Sequence, residues 1–214
     1  TGNFNGGNVL IGSSNDNVLN VGNAEGEKSI AYFGQLGAFG DVNIVNADVT
    51  YGYTFIRNDF NVTNSTMAIN GGVNTYFSGN AKVVVDNSLW NLSGYANIGS
   101  YGGYMYGNAD ITLKNGSSMT ATNLGIQVNG EKVVKLTLED SSTLTATNLS
   151  NQGEIVLANV QAKVTSNKLT GTNNVPTTTV ADHKVVYENG AYVVTAKHYV
   201  AQVKGTDNNV RVKF

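Results

Sequence analysis

Along this chain apolar and polar residues alternate in short runs. Examples are Val42-Asn43-Ile44, Phe60-Asn61-Val62, Ile111-Thr112-Leu113, Leu136-Thr137-Leu138 and Ile155-Val156-Leu157. A period of two puts successive side chains on opposite faces, which is the signature of a strand with one buried side. No long stripe at i, i+3, i+4, i+7 accompanies these runs. Gly and Asn recur every few residues and would weaken any helix interior. The pattern predicts an all-β chain.

The runs also align with one another as an internal repeat. Each has two apolar positions two apart, then Asn or Asp two residues after the second, then a further apolar residue. The Asn/Asp positions are Asn46, Asn64, Asp86, Asn115, Asp140 and Asn159, with gaps of 18, 22, 29, 25 and 19 residues. The apolar residues two before them are Ile44, Val62, Val84, Leu113, Leu138 and Leu157. Those after are Val49, Met67, Leu89, Met119, Leu144 and Val164. Lys82 breaks the pattern, standing where the unit's first apolar residue belongs. A strand repeat of variable length near 20 residues predicts a parallel β-helix, in which stacked turns build a core that no single turn can bury. About six regular coils are expected, with degenerate ones from residue 8 to 40, the earliest at Asn17-Val18-Leu19-Asn20-Val21.

The periodicity stops near residue 170. The stretch Gly171-Thr172-Asn173-Asn174-Val175-Pro176 carries the only proline, so a boundary is placed between 1–172 and 173–214. Beyond it, Asn189-Gly190 separates two alternating apolar runs, a strong hairpin signal. A third strand is expected over His198 to Val203. This piece is expected to be a small antiparallel cap on the open end of the stack, or a connector to a further domain.

Two stretches carry a family resemblance. Val85-Asp86-Asn87-Ser88-Leu89-Trp90-Asn91-Leu92-Ser93-Gly94 and Ala109-Asp110-Ile111-Thr112-Leu113-Lys114-Asn115-Gly116-Ser117-Ser118-Met119 resemble the repeats of autotransporter-like and pectin-lyase-like β-helix surface proteins. The segment Tyr187 to Val194, with Tyr199 to Val203, resembles a link between β-helix units in large surface proteins of gut bacteria. The resemblance implies a secreted or cell-surface bacterial protein used in adhesion or as a stalk. With the rule that parallel crossovers are right-handed, it implies a right-handed coil. The full expectation is an all-β, right-handed parallel β-helix solenoid with a small C-terminal antiparallel hairpin.

Composition narrows the function. Charged residues make up 13% and the net charge is −2. With no Lys/Arg cluster, no nucleic-acid partner is expected. No apolar run approaches the ~20 residues of a membrane-spanning helix. The chain has no Cys and two His, which removes disulfide scaffolds and thiol nucleophiles and leaves little for His-based sites. The sequence opens at Thr1 on a Gly/Asn-rich stretch without a leader, so it reads as a mature piece of something larger.

Enzymatic glycoside hydrolysis needs two carboxylates facing one cleft. Asp41, Asp59, Asp86, Asp110 and Asp140 are available, but turn formation accounts for them. Arg57 beside Asp59 reads as a surface ion pair. Ser14-Asn15-Asp16-Asn17 and Thr206-Asp207-Asn208-Asn209 read as loops, so no metal and no cofactor is expected. Aromatic side chains offer flat platforms to sugar rings. If Leu89 points inward with its column, the outward column is Thr50, Ala68, Trp90, Thr120, Thr145 and Thr165, and Trp90 is exposed. The candidate ligand-binding residues are Trp90, with Tyr101, Tyr104 and Tyr106 in the longest unit and Tyr51 and Tyr53 in an earlier one. The expected function is a non-catalytic adhesin or stalk module, extracellular or at the cell surface. Carbohydrate recognition of a polysaccharide or host glycan is the alternative, and polysaccharide cleavage comes third. Uncapped coil ends also make weak end-to-end self-association an expected partner interaction.

Overall fold

A computed structural model describes residues 4–5, 8–11, 17–69, 74–103, 105–197, 202–203 and 212–213. The chain is all-β, and no helix occurs among the described residues. Two short strands, β1 (Phe4–Asn5) and β2 (Asn8–Ile11), come first. From β3 (Val18–Gly22) the chain crosses to β4 (Ser29–Ala38), back to β5 (Asp41–Val45), and on to β6 (Ala47–Ile56). It continues through β7 (Asp59–Thr63), β8 (Thr66–Ile69), β9 (Asn74–Phe77), β10 (Asn80–Asp86) and β11 (Leu89–Ile98). A small hairpin, β12 (Ser100–Tyr101) and β13 (Met105–Tyr106), interrupts here. Then follow β14 (Asn108–Lys114), β15 (Ser118–Ile126), β16 (Val134–Leu138), β17 (Thr143–Asn151), β18 (Glu154–Leu157), β19 (Lys163–Thr170) and β20 (Thr177–Thr178).

These strands sort alternately into two sheets. Sheet A has the order β1-β4-β6-β8-β11-β15-β17-β19, with β2 beside β4 and β9 between β6 and β11. Sheet B has the order β20-β18-β16-β14-β10-β7-β5-β3. All pairs within these runs are parallel, and each pass of the chain adds a strand to each sheet. The parallel pairing of β20 with β18 runs past the boundary expected at residue 172.

The hairpin expected around Asn189-Gly190 is β21 (His183–Glu188) and β22 (Ala191–Ala196). Its turn residues have φ of 49° and 79°. Strand β22 runs antiparallel to β19 over Lys163 to Thr165 and covers part of that edge. Of the expected third strand, β23 (Gln202–Val203) is described and pairs with β24 (Val212–Lys213). His198 lies outside the described residues.

The core is a set of register-matched columns. In sheet B, Val42, Phe60, Val83, Ile111, Leu136 and Ile155 lie in one line, and Ile44, Val62, Val85, Leu113, Leu138 and Leu157 in the next. All are at most 1% exposed. In sheet A, Ala31, Val49, Met67, Trp90, Met119, Leu144 and Val164 form the facing line.

The Asn/Asp column has a backbone cause. Asn46, Asn64, Asn115 and Asp140 turn the chain from sheet B into sheet A with φ of 47°, 49°, 54° and 50°. Asn and Asp tolerate this left-handed conformation better than other side chains. In the third unit the corner residue is Asn87, φ 44°, not Asp86. The expected register there is off by one, and a one-residue slip exchanges the two faces of a strand. Val83 and Val85 point into the core, while Lys82 is exposed and Val84 half-buried. Asn159 departs as well: its corner holds one more residue than the preceding one, between Leu157 and Lys163 as against Leu138 and Thr143.

A second column runs beside the corners: Ala47, Ser65, Ser88, Ser117, Ser142 and Ala162, all buried. The backbone N–H of Ala47 donates to Ser65 Oγ (3.0 Å), that of Ser65 to Ser88 Oγ (3.0 Å), and that of Ser88 to Ser117 Oγ (3.1 Å). Each hydroxyl in turn donates to a nearby carbonyl: Ser65 to Thr63, Ser88 to Asp86 and Ser117 to Lys114. Backbone groups at the corners, which lie outside the sheet ladders, are paired in this way.

Candidate functional site

The same slip decides the fate of Trp90. Expected on the outside, it is 1% exposed, between Met67 and Met119 in the core column. Its ring stacks on Phe60 (centroids 5.4 Å apart) and meets Phe77 edge-on (5.5 Å). Its Nε1 donates to the Tyr51 hydroxyl at 2.7 Å. Leu89, expected inside, is 55% exposed. Tyr51 is also buried and shares a second hydrogen bond with Thr75 Oγ1 at 3.1 Å. Burial pushes its phenol up from 10.0 to about 12, against the pull of both hydrogen bonds. Neither residue offers a surface platform.

The remaining tyrosines sort differently. Tyr101, at the start of the β12–β13 hairpin, lies over the outer face of sheet A. Its ring contacts Tyr76 (4.8 Å), Phe55 (6.0 Å) and Tyr53 (6.3 Å), and its hydroxyl bonds that of Tyr53. Phe39 packs on Phe55 at 4.9 Å. The Arg57 guanidinium lies 5.0 Å from the Phe39 ring, with Nη2 3.5 Å from Met105 Sδ. The expected Arg57–Asp59 ion pair is therefore replaced by a cation–π contact, in which the ring shields an arginine stem packed on apolar surface. Tyr53 and Tyr101 make a plug of packed rings. Tyr106 is half-buried in the hairpin, and Tyr104 lies outside the described residues. The hairpin springs from Gly99, φ 91°, where a Cβ would stand 2.1 Å from the Gln127 carbonyl oxygen; only glycine allows that approach.

Four aspartates make structural contacts. Asp41 accepts from Asn58 Nδ2 at 2.5 Å. Asp86 pairs with Lys114 (3.2 Å) and accepts from Asn115 Nδ2 (2.6 Å). Asp140 accepts from the Asn115 backbone N–H (3.1 Å). Asp48 pairs with Lys28 at 3.0 Å, and that hydrogen bond holds its carboxyl below the usual value. Among the described residues no three His, Asp or Glu side chains converge as metal ligands would.

What the structure does bring together is a cleft of about 320 Å³ on the outer face of sheet A, beyond the aromatic plug. Tyr95, Asn123, Gly125, Gln127, Asn148 and Lys168 line it, with Ser150 and Thr170. Tyr95 is 41% exposed. It follows an irregularity in the pairing of β11 with β15, between Leu92 and Tyr95, where β11 carries one residue more than its neighbour. Across the strands Tyr76, Asn97, Gly125 and Ser150 are register partners, so the aromatic face steps down through Asn97 onto a glycine floor. A Cβ on Gly125 would stand 2.5 Å from Asn97 Oδ1. Asn148 Nδ2 donates to Asn123 Oδ1 at 2.8 Å. Sequence reasoning missed this cleft, because its residues meet only across successive passes.

Among the described residues no helix is long and apolar enough to cross a membrane. No family model matches the chain, and no solved structure matches it. It is similar to the uncharacterized protein YuaQ of Escherichia coli strain K12, 36% identical over 100 residues. That match takes in 47% of this chain and 6% of the relative's length.

Proposed function

We propose that this chain is a run of coils of a right-handed parallel β-helix within a larger bacterial surface or secreted protein, where it serves as a non-catalytic stalk or adhesin module. The observation that carries this reading is the unbroken parallel register of both sheets, one strand added to each per pass from β4 to β19. A closed stack of this kind lengthens without limit and presents the same outward faces on every turn. The similarity to a short stretch of a much longer bacterial protein supports a part in a larger whole. The hydrogen bonds that tie up Asp41, Asp86 and Asp140 support the non-catalytic reading.

Small-angle scattering tests the coil. Inserting three extra copies of residues 116–140 after position 140 should lengthen the particle by about 14 Å, at roughly 4.8 Å per strand. An unchanged maximum dimension in a folded protein rejects the stack. Release of reducing ends from polygalacturonate or other polysaccharides by the purified chain rejects the non-catalytic role.

A further inference from the structure

We propose that a hollow near the C-terminal end of the stack holds a structural calcium ion. The decisive position is the last residue of β17. Ile56, Phe77, Ile98, Ile126 and Asn151 are register partners along sheet A. Four successive passes fill this core position with an apolar side chain, and the next fills it with an amide. Asn151 is 1% exposed. Its Nδ2 donates to the Asn173 carbonyl at 2.6 Å, but its Oδ1 is buried without a partner. An unpaired buried acceptor is costly in a folded protein, and an isoleucine there would avoid the cost.

Asn151 lines a hollow of about 350 Å³ together with Glu154, Thr172, Asn173, Asn174 and Thr177. No lysine or arginine is among the lining residues. The donors of the two inner amides are engaged on backbone carbonyls: beside the Asn151 bond, Asn173 Nδ2 donates to Gln152 (3.0 Å) and Gly153 (2.8 Å). Thr177 Oγ1 donates to the Ile155 carbonyl at 3.4 Å and keeps its lone pairs. Oxygens are left over, from two amides, two hydroxyls and the Glu154 carboxylate. Glu154 is the register partner of Lys135, but the ion pairs among the described residues lie elsewhere. A lining rich in acceptors and poor in free donors suits a hard cation. Calcium accepts carboxylate and neutral oxygens in flexible geometry, whereas magnesium demands a near-ideal octahedron. One carboxylate among neutral donors corresponds to weak extracellular-type sites, with Kd on the order of 10⁻⁴–10⁻³ M. Residues 172–177 supply four of the ligand candidates, and the corner between β17 and β18 supplies Asn151 and Glu154. A bound ion therefore ties the segment that leads to the C-terminal hairpin onto the stack. The inference goes beyond the stalk reading and stands without it.

Titration calorimetry of calcium chloride into the chelator-treated whole chain, with magnesium chloride as the second probe, tests the site. One calcium per chain should bind, with magnesium about 10-fold weaker or more. Calcium at about 10 mM, above the expected Kd, should raise the melting temperature by binding the folded state alone. Glu154→Gln keeps the shape, removes the one charge, and should weaken binding about 10-fold. Asn151→Ile restores the apolar column; it should abolish the calcium response and, in chelator, melt no lower than the parent. An amide with a merely structural role gives the reverse, a lower melting temperature with the calcium response intact. Glu131→Gln, at an exposed position outside the hollow, should change nothing. Circular dichroism confirms that each variant is folded. Because Glu154 is exposed, its variant keeps the test decisive even where Asn151→Ile fails to fold. Absence of a calcium-dependent heat and melting shift, equal affinity for magnesium, or calcium binding indifferent to Glu154→Gln in a folded variant overturns the proposal.

Discussion

Neighbouring substitutions at 89 and 90 give a direct reading of the strand register. Trp90 is the largest fully buried side chain in the core. Trp90→Ala removes its packing against Phe60 and Phe77 and leaves a cavity between Met67 and Met119. Loss of a buried aromatic of this kind costs about 3–5 kcal/mol. The Tyr51 hydroxyl also loses the Nε1 donor but keeps Thr75, which adds about 1 kcal/mol. Trp90→Phe keeps most of the ring and should cost less, chiefly the hydrogen bond and part of the packing. Leu89→Ala, one residue away, strips a side chain that is already 55% exposed and should stay within about 0.5 kcal/mol of the parent. Urea unfolding followed by circular dichroism measures all three. In the parent, the single tryptophan should also emit as a buried indole and redden on unfolding. If Leu89→Ala proves the costly change and Trp90→Ala the silent one, the register described for β11 is wrong and the outward-facing tryptophan expected from the repeat alignment is right.

Two further predictions concern the buried hydroxyls. Ser88→Ala removes the acceptor for the Ser65 N–H and a donor to the Asp86 carbonyl, and should cost about 1–3 kcal/mol. Ser142→Ala should be neutral or stabilising in the same urea assay, because Ser142 Oγ is buried without a partner. Tyr51 gives a pH signature. With its folded value raised to about 12, the folded chain holds a proton that the unfolded chain releases near 10.0. Its contribution to stability is therefore complete below pH 10 and is lost as pH rises toward 12. Ultraviolet titration should show one phenol ionising later than the exposed ones, and Tyr51→Phe should remove that late step; a late step that survives the substitution belongs to another tyrosine.

The sequence made much of the sheet architecture legible because a two-residue period leaves little choice about which runs become strands. All five alternating runs cited above lie in sheet B, and the corner residues Asn46, Asn64, Asn115 and Asp140 adopt the left-handed conformation. The third unit failed for a local reason. Asp86 and Asn87 are adjacent and both satisfy the same turn preference, so the alignment chose the wrong one. Lys82 in an apolar slot marked the error, and moving the unit by one residue would have put Val83 and Val85 inside. Trp90 inherited that slip. The serine column was readable as Ser following each corner, at Ser65, Ser88, Ser117 and Ser142, but serine at turns is so common that its burial gave no separate signal. The cleft could not be read at all. It depends on Asn97 and Gly125 meeting across adjacent strands and on the extra residue in β11 before Tyr95, and neither follows from the order of residues along one strand.

The serine column also gives the earlier passes a direction along the sheets. At three corners the N–H is satisfied by a hydroxyl from the pass that follows it, Ala47 by Ser65, Ser65 by Ser88 and Ser88 by Ser117; the N–H groups of Ser117, Ser142 and Ala162 donate instead to carbonyls of their own corners, at Lys114, Glu139 and Asn159. Over those first passes a corner taken alone leaves an unmet donor, and the next pass carries its partner. A duplicated pass spliced into the gene brings both halves of this connection with it. Such proteins can change their reach by unequal recombination alone, without any compensating change elsewhere in the molecule.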